Sequence, residues 1–251
     1  MEVAPCLREM MEEEVVFAYG PERRIETRRM VVLKNDRWIG AEAIVQRIEF
    51  LGIDAVAKWR FPKPWMPKEL DEEFRARRTY VEAKALMRAL SLGIPVPQLL
   101  YVDDRCGLLV ESFVEGVLLR DAVPKLGDDE LCSICRELGT YLAGLHGAGV
   151  VHGDPTTSNV VLSNGVPHLI DFGLAELNAT LDDLAIDVHI FFRSVESTHR
   201  DRENIMKRCF VEGYRSIAGE ERTHLVLLRV ERIRRFGRYV SDREVKMEWS
   251  F

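Results

Sequence analysis

Three oxygen-bearing side chains stand in two short motifs in the second half of this 251-residue chain. Asp154 follows His152 and Gly153, Asn159 comes five residues later, and Asp171 opens the tripeptide Asp-Phe-Gly. Phosphoryl transfer from a nucleotide needs a carboxylate near the attacking oxygen and hard oxygen ligands for magnesium. The spacing therefore predicts that Asp154 orients the acceptor and takes its proton, and that Asn159 and Asp171 bind magnesium.

Either tripeptide alone could be an ordinary turn, so the specificity of the pattern lies in its combination. Asn159 follows Asp154 in the first motif, and apolar, strand-like segments at 160–162 and 168–170 lie between Asn159 and Asp171. Together these features favour a magnesium-dependent nucleotide site over two unrelated turns.

A second group of residues upstream could hold the phosphates of the nucleotide. Lys58 ends the segment Ala-Val-Ala-Lys, which resembles the kinase strand whose lysine contacts the α and β phosphates, and Glu82 on the following helix is its expected ion-pair partner. A lysine that ends an apolar strand is more often a surface residue, so this interpretation depends on the downstream motifs.

Two further segments are expected to complete an ATP site. The turn over the phosphates is predicted at Gly40, Ala41, Glu42 and Ala43, although it has one glycine where the usual loop has three. The backbone near Glu111 and Phe113 is the expected contact for adenine, because it lies where kinases connect their lobes.

Hydrophobic periodicity and breakers predict the elements that position these residues. Short strands are expected first, with Asn35, Asp36 and Gly52 as turn residues between them. A long helix, two more strands and mostly helical sequence follow. The predicted strands are 29–33, 43–50, 55–61, 99–102 and 107–114, and the predicted helices are 68–92, 128–146 and 182 onward.

Composition places the chain among globular proteins, with 47% hydrophobic and 30% charged residues. No apolar run reaches the roughly 18 residues that a membrane span needs. No export signal is recognisable at the start, so a cytoplasmic protein without a membrane partner is expected. The five cysteines are odd in number and scattered, which predicts free thiols, with Cys132 and Cys135 packed on one helix face.

Charge is distributed unevenly, although the net value of −6 gives no overall attraction to nucleic acid. Near the end of the chain, arginines crowd one stretch and form a candidate contact for an anion. The arginines of this candidate contact are Arg232, Arg234, Arg235 and Arg238.

These motifs resemble the small atypical kinase subunit of the KEOPS complex, also called EKC, over about residues 38–239. The resemblance rests on the segments 40–43, 58–62, 78–83, 152–159, 171–174 and 196–199, together with Asp187. It implies an α+β fold of reduced, bilobal protein-kinase type, with a small N-lobe sheet, one long helix and a mainly helical C-lobe. The corresponding division is an extension at 1–29, an N-lobe at 30–113, a C-lobe at 114–240 and a tail at 241–251.

The resemblance also implies ATP and magnesium as cofactors, and serine/threonine kinase or ATPase activity in tRNA threonylcarbamoyladenosine modification. The expected partners are the threonylcarbamoyl-transferase subunit on the C-lobe, a second small subunit on the N-lobe, and tRNA within the complex. The resemblance also implies that the possible RNA or tail contacts are Arg232, Arg234, Arg235 and Arg238.

Two positions distinguish the chain from common kinase patterns. Gly153 stands where many kinases have an arginine that pairs with a phosphorylated activation loop, and only residues 174–181 separate Asp-Phe-Gly from the next helix. No activation-loop switch is therefore expected. Pro155, where the family usually has leucine, fixes φ and removes an N–H beside the predicted base. His199 is expected to pack or cap a helix.

Two alternatives remain open on the sequence alone. A small-molecule phosphotransferase of the aminoglycoside-kinase type uses similar motifs, but it carries larger helical insertions than the roughly 80 residues after Asp171 provide. A nucleotide-binding scaffold without turnover would also explain the missing substrate platform. It would not require Lys58, Asp154, Asn159 and Asp171 together.

Overall fold

The computed structural model describes residues 5–19 and 24–247. The chain forms two compact units: the first comprises Met1–Met87 and Pro97–Val114, and the second Arg88–Val96 and Glu115–Phe251. The first contains a small antiparallel sheet and most of one long helix, whereas the second is mainly helical. This is the α+β, kinase-like class that the sequence predicted. The predicted boundaries at residues 29, 113 and 240 stay predictions.

The first unit is built on a five-stranded antiparallel sheet with the order β3-β4-β5-β7-β6. Its central strand β5 is buried from Ala55 to Trp59, because it has a neighbour on each side and helps to form the core. The elements are β3 (Val31–Ile39), β4 (Ile44–Phe50), β5 (Ile53–Trp59), helix α2 (Lys68–Ser91), β6 (Leu99–Asp103) and β7 (Leu108–Ser112).

The N-terminal segment adds structure that the sequence left unassigned. Helix α1 (Pro5–Glu12) buries Leu7 and Met10 in the core of the sheet, and β1 (Glu14–Tyr19) pairs with β2 (Arg24–Arg29) as a separate antiparallel ribbon. The extension is therefore part of the first unit's fold.

The prediction of a turn at Asn35 and Asp36 was wrong. Both residues lie inside β3, where the pairing with β4 shifts register between Leu33 and Arg37. These two poor strand formers lie at an irregularity in the strand pairing, and the chain turns after Ile39, at Gly40–Ala43.

The second unit packs helices α4 (Asp128–Gly147), α5 (Leu181–Thr198), α6 (Glu203–Ala218) and α7 (Glu220–Met247) around short strands. Helices α4 and α6 approach very closely, because glycines replace side chains at the crossing: a Cβ on Gly139 or Gly213 would meet backbone of the facing helix at about 2 Å. The short elements are β8 (Val117–Leu118), α3 (Leu119–Ala122), β9 (Val150–Val151), β10 (Val160–Ser163), β11 (Val166–Leu169) and β12 (Glu176–Leu177).

The expectation of five free thiols was wrong. Cys6 is bonded to Cys106 within the first unit, and Cys132 on α4 is bonded to Cys209 on α6 within the second. Only Cys135 is a free, buried thiol. The partners are 100 and 77 residues apart in sequence, so spacing could not reveal them.

None of the helices in residues 5–19 and 24–247 has both the length and the apolar character that crossing a membrane requires.

Candidate functional site

In the first unit, Lys58 forms the predicted ion pair with Glu82. Lys58 Nζ donates to Glu82 Oε1 at 2.7 Å, and both side chains are largely buried. Arg60, two residues further along the chain, donates Nη2–H to the other carboxylate oxygen of Glu82 and is itself buried. Glu82 is thus held by two cations, and the sequence alone had indicated only Lys58.

The predicted turn over the phosphates is the hairpin between β3 and β4. Gly40 N–H donates to the Ala43 carbonyl at 2.9 Å, which closes the turn over Ala41 and Glu42. Lys63 Nζ lies 3.5 Å from Glu42 Oε1. The turn does not depend on glycine at position 40, because a Cβ there would be at an ordinary contact distance from the Ala43 carbonyl oxygen.

The backbone proposed to meet adenine is more constrained than the sequence suggested. Glu111 lies within β7, between Val56 on β5 and Leu99 on β6. Phe113 N–H donates to the Asp54 carbonyl at 2.9 Å, so this donor is already used inside the first unit. A purine would have to use other backbone groups of this segment.

In the second unit, Asp154 and Asn159 contact each other directly. Asn159 Nδ2 donates to Asp154 Oδ2 at 2.8 Å and to the Asp154 carbonyl at 2.9 Å. Because only the NH₂ group of an amide can donate twice, Oδ1 of Asn159 is the atom left to accept or to bind a cation. The pKa of the Asp154 carboxyl is raised, mainly by burial and also by the negative charges of Asp171 and Asp187. His152 and the hydrogen bond from Asn159 oppose this shift.

Asp171 follows β11 and adopts a left-handed backbone with φ of +62°. Its Oδ1 accepts from Gly173 N–H at 3.1 Å, and the side chain is exposed. Next to it, Ile170 N–H donates to the Asn159 carbonyl at 3.0 Å, which ties the two motifs together. An unfavourable φ at an exposed carboxylate is typical of a constrained functional position.

His152 is fully buried and holds the loop that carries Asp154 through two hydrogen bonds of its ring. Its Nε2–H donates to the Ile170 carbonyl at 3.2 Å, and Nδ1 accepts from Asp154 N–H at 3.3 Å. Burial lowers the pKa of His152, so the imidazole stays neutral, in agreement with one donating and one accepting nitrogen. Its ring also packs 4.4 Å from that of Phe172.

A buried carboxylate, Asp187 on α5, fixes the same loop. It accepts from His152 N–H at 2.9 Å and from Gly153 N–H at 2.8 Å. His146 Nε2–H donates to Asp187 at 3.0 Å, and Tyr214 O–H donates to His146 Nδ1 at 2.7 Å. The roles of His146 and Tyr214 were not predicted, because 68 residues separate them and neither belongs to a motif.

Gly153 and the link after Asp-Phe-Gly fit together without room for a side chain. A Cβ on Gly153, at φ of +86°, would lie 2.0 Å from the Leu174 carbonyl oxygen. Beyond it, β12 pairs with β9, and α5 begins at Leu181 behind a Thr180–Asp183 capping box. The link is as short as the sequence indicated. Pro155 is buried, and Thr156 N–H donates to the Asp154 carbonyl at 2.8 Å, so the loop accommodates the proline.

His199 caps the end of α5, in agreement with the packing role predicted for it. Its Nε2 lies 3.1 Å from Thr157 Oγ1, and Ser194 Oγ accepts from Thr157 N–H at 3.1 Å. Both contacts hold the short 3₁₀ turn Thr157–Asn159, which presents the Asn159 amide.

The arginines near the chain end lie on α7. Arg234 donates to Glu196 of α5 at 2.8 Å, whereas Arg232 and Arg235 are exposed. The side chain of Arg238 lies outside the described residues. Arg234 is therefore joined to α5 by an ion pair.

The donor set of the second unit fits magnesium. The hydrogen bonds from Asn159 to Asp154 use its Nδ2 group and not its amide oxygen, and Asp171 adds an exposed carboxylate. Hard oxygen ligands of this kind, few in number, suit a magnesium ion that keeps water and phosphate oxygens as its remaining ligands.

Comparison with known proteins gives a consistent result. The model of the RIO domain family matches residues 71–205. The chain is 36% identical over 211 residues to the KEOPS complex subunit Bud32 of Pyrococcus abyssi, covering 80% of this chain and 94% of that protein. It is 36% identical over 204 residues to the probable serine/threonine-protein kinase BUD32 homolog of Archaeoglobus fulgidus, covering 81% and 96%. A probable bifunctional tRNA threonylcarbamoyladenosine biosynthesis protein of Methanosarcina mazei is 38% identical over 80% of this chain and 35% of its own length.

Proposed function

Because the chain belongs to the RIO-domain family, and within it to the Bud32-type proteins, we propose that it is an ATP- and magnesium-dependent atypical serine/threonine kinase and ATPase. The observation that carries this proposal is the contact between Asp154 and Asn159. One amide donates twice to one aspartate and keeps its oxygen for a cation, beside an exposed Asp171. That arrangement would supply a base and two hard ligands from two loops, one before β10 and one after β11.

In this proposal Asp154 accepts the proton of the attacking hydroxyl or water, and the Asn159 hydrogen bond fixes its orientation. Asn159 and Asp171 hold magnesium, which neutralises charge on the nucleotide phosphates when bound. Lys58, oriented by Glu82, contacts the α and β phosphates. The hairpin turn 40–43 covers them.

Further support for the role of Asp154 comes from its surroundings. His152, Asp187 and Asn159 all act on the backbone or side chain of the same loop, and the first two are buried. A carboxylate positioned this firmly loses little entropy on reaching the transition state.

The names of the relatives support a proposal for the biological setting. We propose that the chain acts in the KEOPS complex in threonylcarbamoyladenosine modification of tRNA, in the cytoplasm. The threonylcarbamoyl-transferase subunit is proposed to bind the second unit, a second small subunit the first, and tRNA the arginines of α7.

Release of phosphate from labelled ATP tests the proposal, with wild type and Asp154→Ala, each with and without the threonylcarbamoyl-transferase subunit. We expect magnesium-dependent turnover that needs Asp154, and a change from autophosphorylation to free phosphate when the partner is added. Tight ATP binding without Asp154-dependent turnover in either condition would leave a nucleotide-binding scaffold and refute the catalytic assignment.

A further inference from the structure

A polar cavity of about 410 Å³ lies in the second unit, where α5, α6 and α7 meet. Its volume is within the range of small-ligand sites. None of Asp154, Asn159 and Asp171 lines it. The lining residues are Arg193, Glu196, Ser197, Arg200, Glu203 and Arg234.

Glu196 organises the cations of this cavity. Its carboxylate lies 2.7 Å from Lys207 Nζ, 2.8 Å from Arg234 Nη2 and 3.3 Å from Arg193 Nη1. Burial opposes ionisation of Glu196, but the hydrogen bond from Lys207 and the charges of Lys207, Arg234 and Arg193 lower its pKa. One ionised carboxylate therefore aligns cations from three different helices.

The cations outnumber the carboxylates around the cavity. Arg200 lines it and forms no ion pair with any residue in the described part of the chain. Lys207 also lies 3.7 Å from Glu203, so three cations share two carboxylates and Arg200 is a fourth cation without one of its own among the described residues. The pKa of half-buried His189 agrees with this: burial is the main cause that lowers it, and the charges of Arg193 and Arg234 lower it further against the opposing charge of Glu196. An anion would complete the balance of charge.

We propose that this cavity binds a phosphate group, either as free phosphate or as a phosphodiester of an RNA strand, at a site separate from the ATP site. Guanidinium groups suit this ligand because their planar fork donates two parallel hydrogen bonds to phosphate oxygens. Glu196 holds Arg234 and Arg193 in place before the ligand arrives, and Arg200 supplies a cation that no described carboxylate neutralises. The exposed Arg235 lies next to Arg234 on α7, so a strand bound in the cavity could continue along that helix.

Protection of arginines from phenylglyoxal, mapped by mass spectrometry on the full chain, tests the site directly. Inorganic phosphate and a short single-stranded oligoribonucleotide are compared with chloride at equal ionic strength. We expect several-fold slower modification of Arg193, Arg200 and Arg234, with no change at Arg215 near the end of α6, which lies outside the cavity. Protection by phosphate alone indicates a free-phosphate site, and protection by RNA indicates a phosphodiester site. Equal reactivity of cavity and control arginines under both ligands overturns the proposal.

A substitution provides an independent test. Arg200→Gln removes a cation without breaking a described ion pair, and Arg215→Gln is the control for loss of one arginine outside the cavity. If the site takes a phosphodiester, Arg200→Gln should flatten the salt dependence of oligoribonucleotide binding by about 0.7 in log–log slope. If it takes free phosphate, the same variant should weaken phosphate binding several-fold. Unchanged affinity for both ligands contradicts the proposal. Neither assay measures ATP turnover, so failure here is separate from failure of the proposed kinase function.

Discussion

The missing side chain at Gly153 determines the shape of the loop that carries Asp154. A Cβ there would collide with the Leu174 carbonyl at 2.0 Å, and φ is +86°. We predict that Gly153→Ala abolishes most ATP turnover and destabilises the fold by more than the roughly 1–3 kcal/mol of backbone strain alone.

Gly165→Ala is the matched control, because Gly165 has a similar φ of +81° but a Cβ added there would have no atom within 4 Å. It should cost about 1–2 kcal/mol and leave turnover unchanged. Urea denaturation and phosphate release measure the two effects. Equal behaviour of both variants would show that the contact with Leu174 has no role.

Arg60 is the second cation of a buried cluster that kinases usually build from one lysine and one glutamate. Its guanidinium and the Glu82 carboxylate are 3% and 1% exposed. We predict that Arg60→Gln costs about 1.5–3 kcal/mol, because a charged hydrogen bond to a buried carboxylate is lost. Arg77→Gln, at an exposed position of α2, should change stability by less than about 0.5 kcal/mol. Urea denaturation distinguishes them, and a cost as small for Arg60 as for Arg77 would contradict the buried pair.

At the residue scale, motif spacing indicated the candidate site residues, whose roles stay predictions, but not the buried residues that support them. The Lys58–Glu82 pair followed from the strand motif and the helix after it. Arg60, His146 and Tyr214 could not be recognised in the same way, because their contacts join distant segments and depend on burial. The adenine contact at Glu111 and Phe113 stays a prediction. The hydrogen bond from Phe113 N–H to the Asp54 carbonyl could not be recognised from the sequence, because it depends on a neighbouring strand.

The close crossing of α4 and α6 depends on glycine. A Cβ on Gly213 would lie 1.9 Å from the Arg136 carbonyl oxygen. We predict that Gly213→Ala separates the helices and destabilises the protein by about 1–3 kcal/mol. The control is Gly147→Ala at the end of α4, where a Cβ would have no atom within 4 Å. It should be neutral or stabilising by up to about 1 kcal/mol, because alanine has the higher helix propensity. A thermal melt in which Gly213→Ala equals the wild type would refute the account of this crossing.

Helices and strands with clear periodicity could be located from the sequence. Helix α2 and helix α4 begin at the residues predicted and end within one residue of them. The error at Asn35 and Asp36 arose because a strand that has a partner can include poor strand formers at an irregularity. Helix α1 was not assigned, because its eight residues form a stable element only when packed on the sheet.

Each of the two units contains one disulfide, which is unusual for a protein expected in the cytoplasm. Intracellular proteins of hyperthermophilic archaea are a known exception. We predict that dithiothreitol lowers the Tm of the wild type and has no effect on a Cys106→Ser/Cys209→Ser variant. Each bond should contribute about 2–4 kcal/mol, since it restricts the unfolded chain across a long loop.

Thiol titration of the denatured, unreduced protein is the control for this prediction. It should detect one thiol, from Cys135. Five thiols, together with a Tm that does not respond to the reductant, would contradict both disulfides.

For the whole molecule, the central claim is that Asp154 makes this chain an enzyme and does not merely support its fold. The most direct test is the rate of magnesium-dependent ATP turnover by Asp154→Asn, measured with ATP affinity and Tm on the same preparation. We predict a rate reduced by roughly 10²-fold or more, because the base is lost, with ATP affinity and Tm close to those of the wild type. Turnover at the wild-type rate would contradict the account.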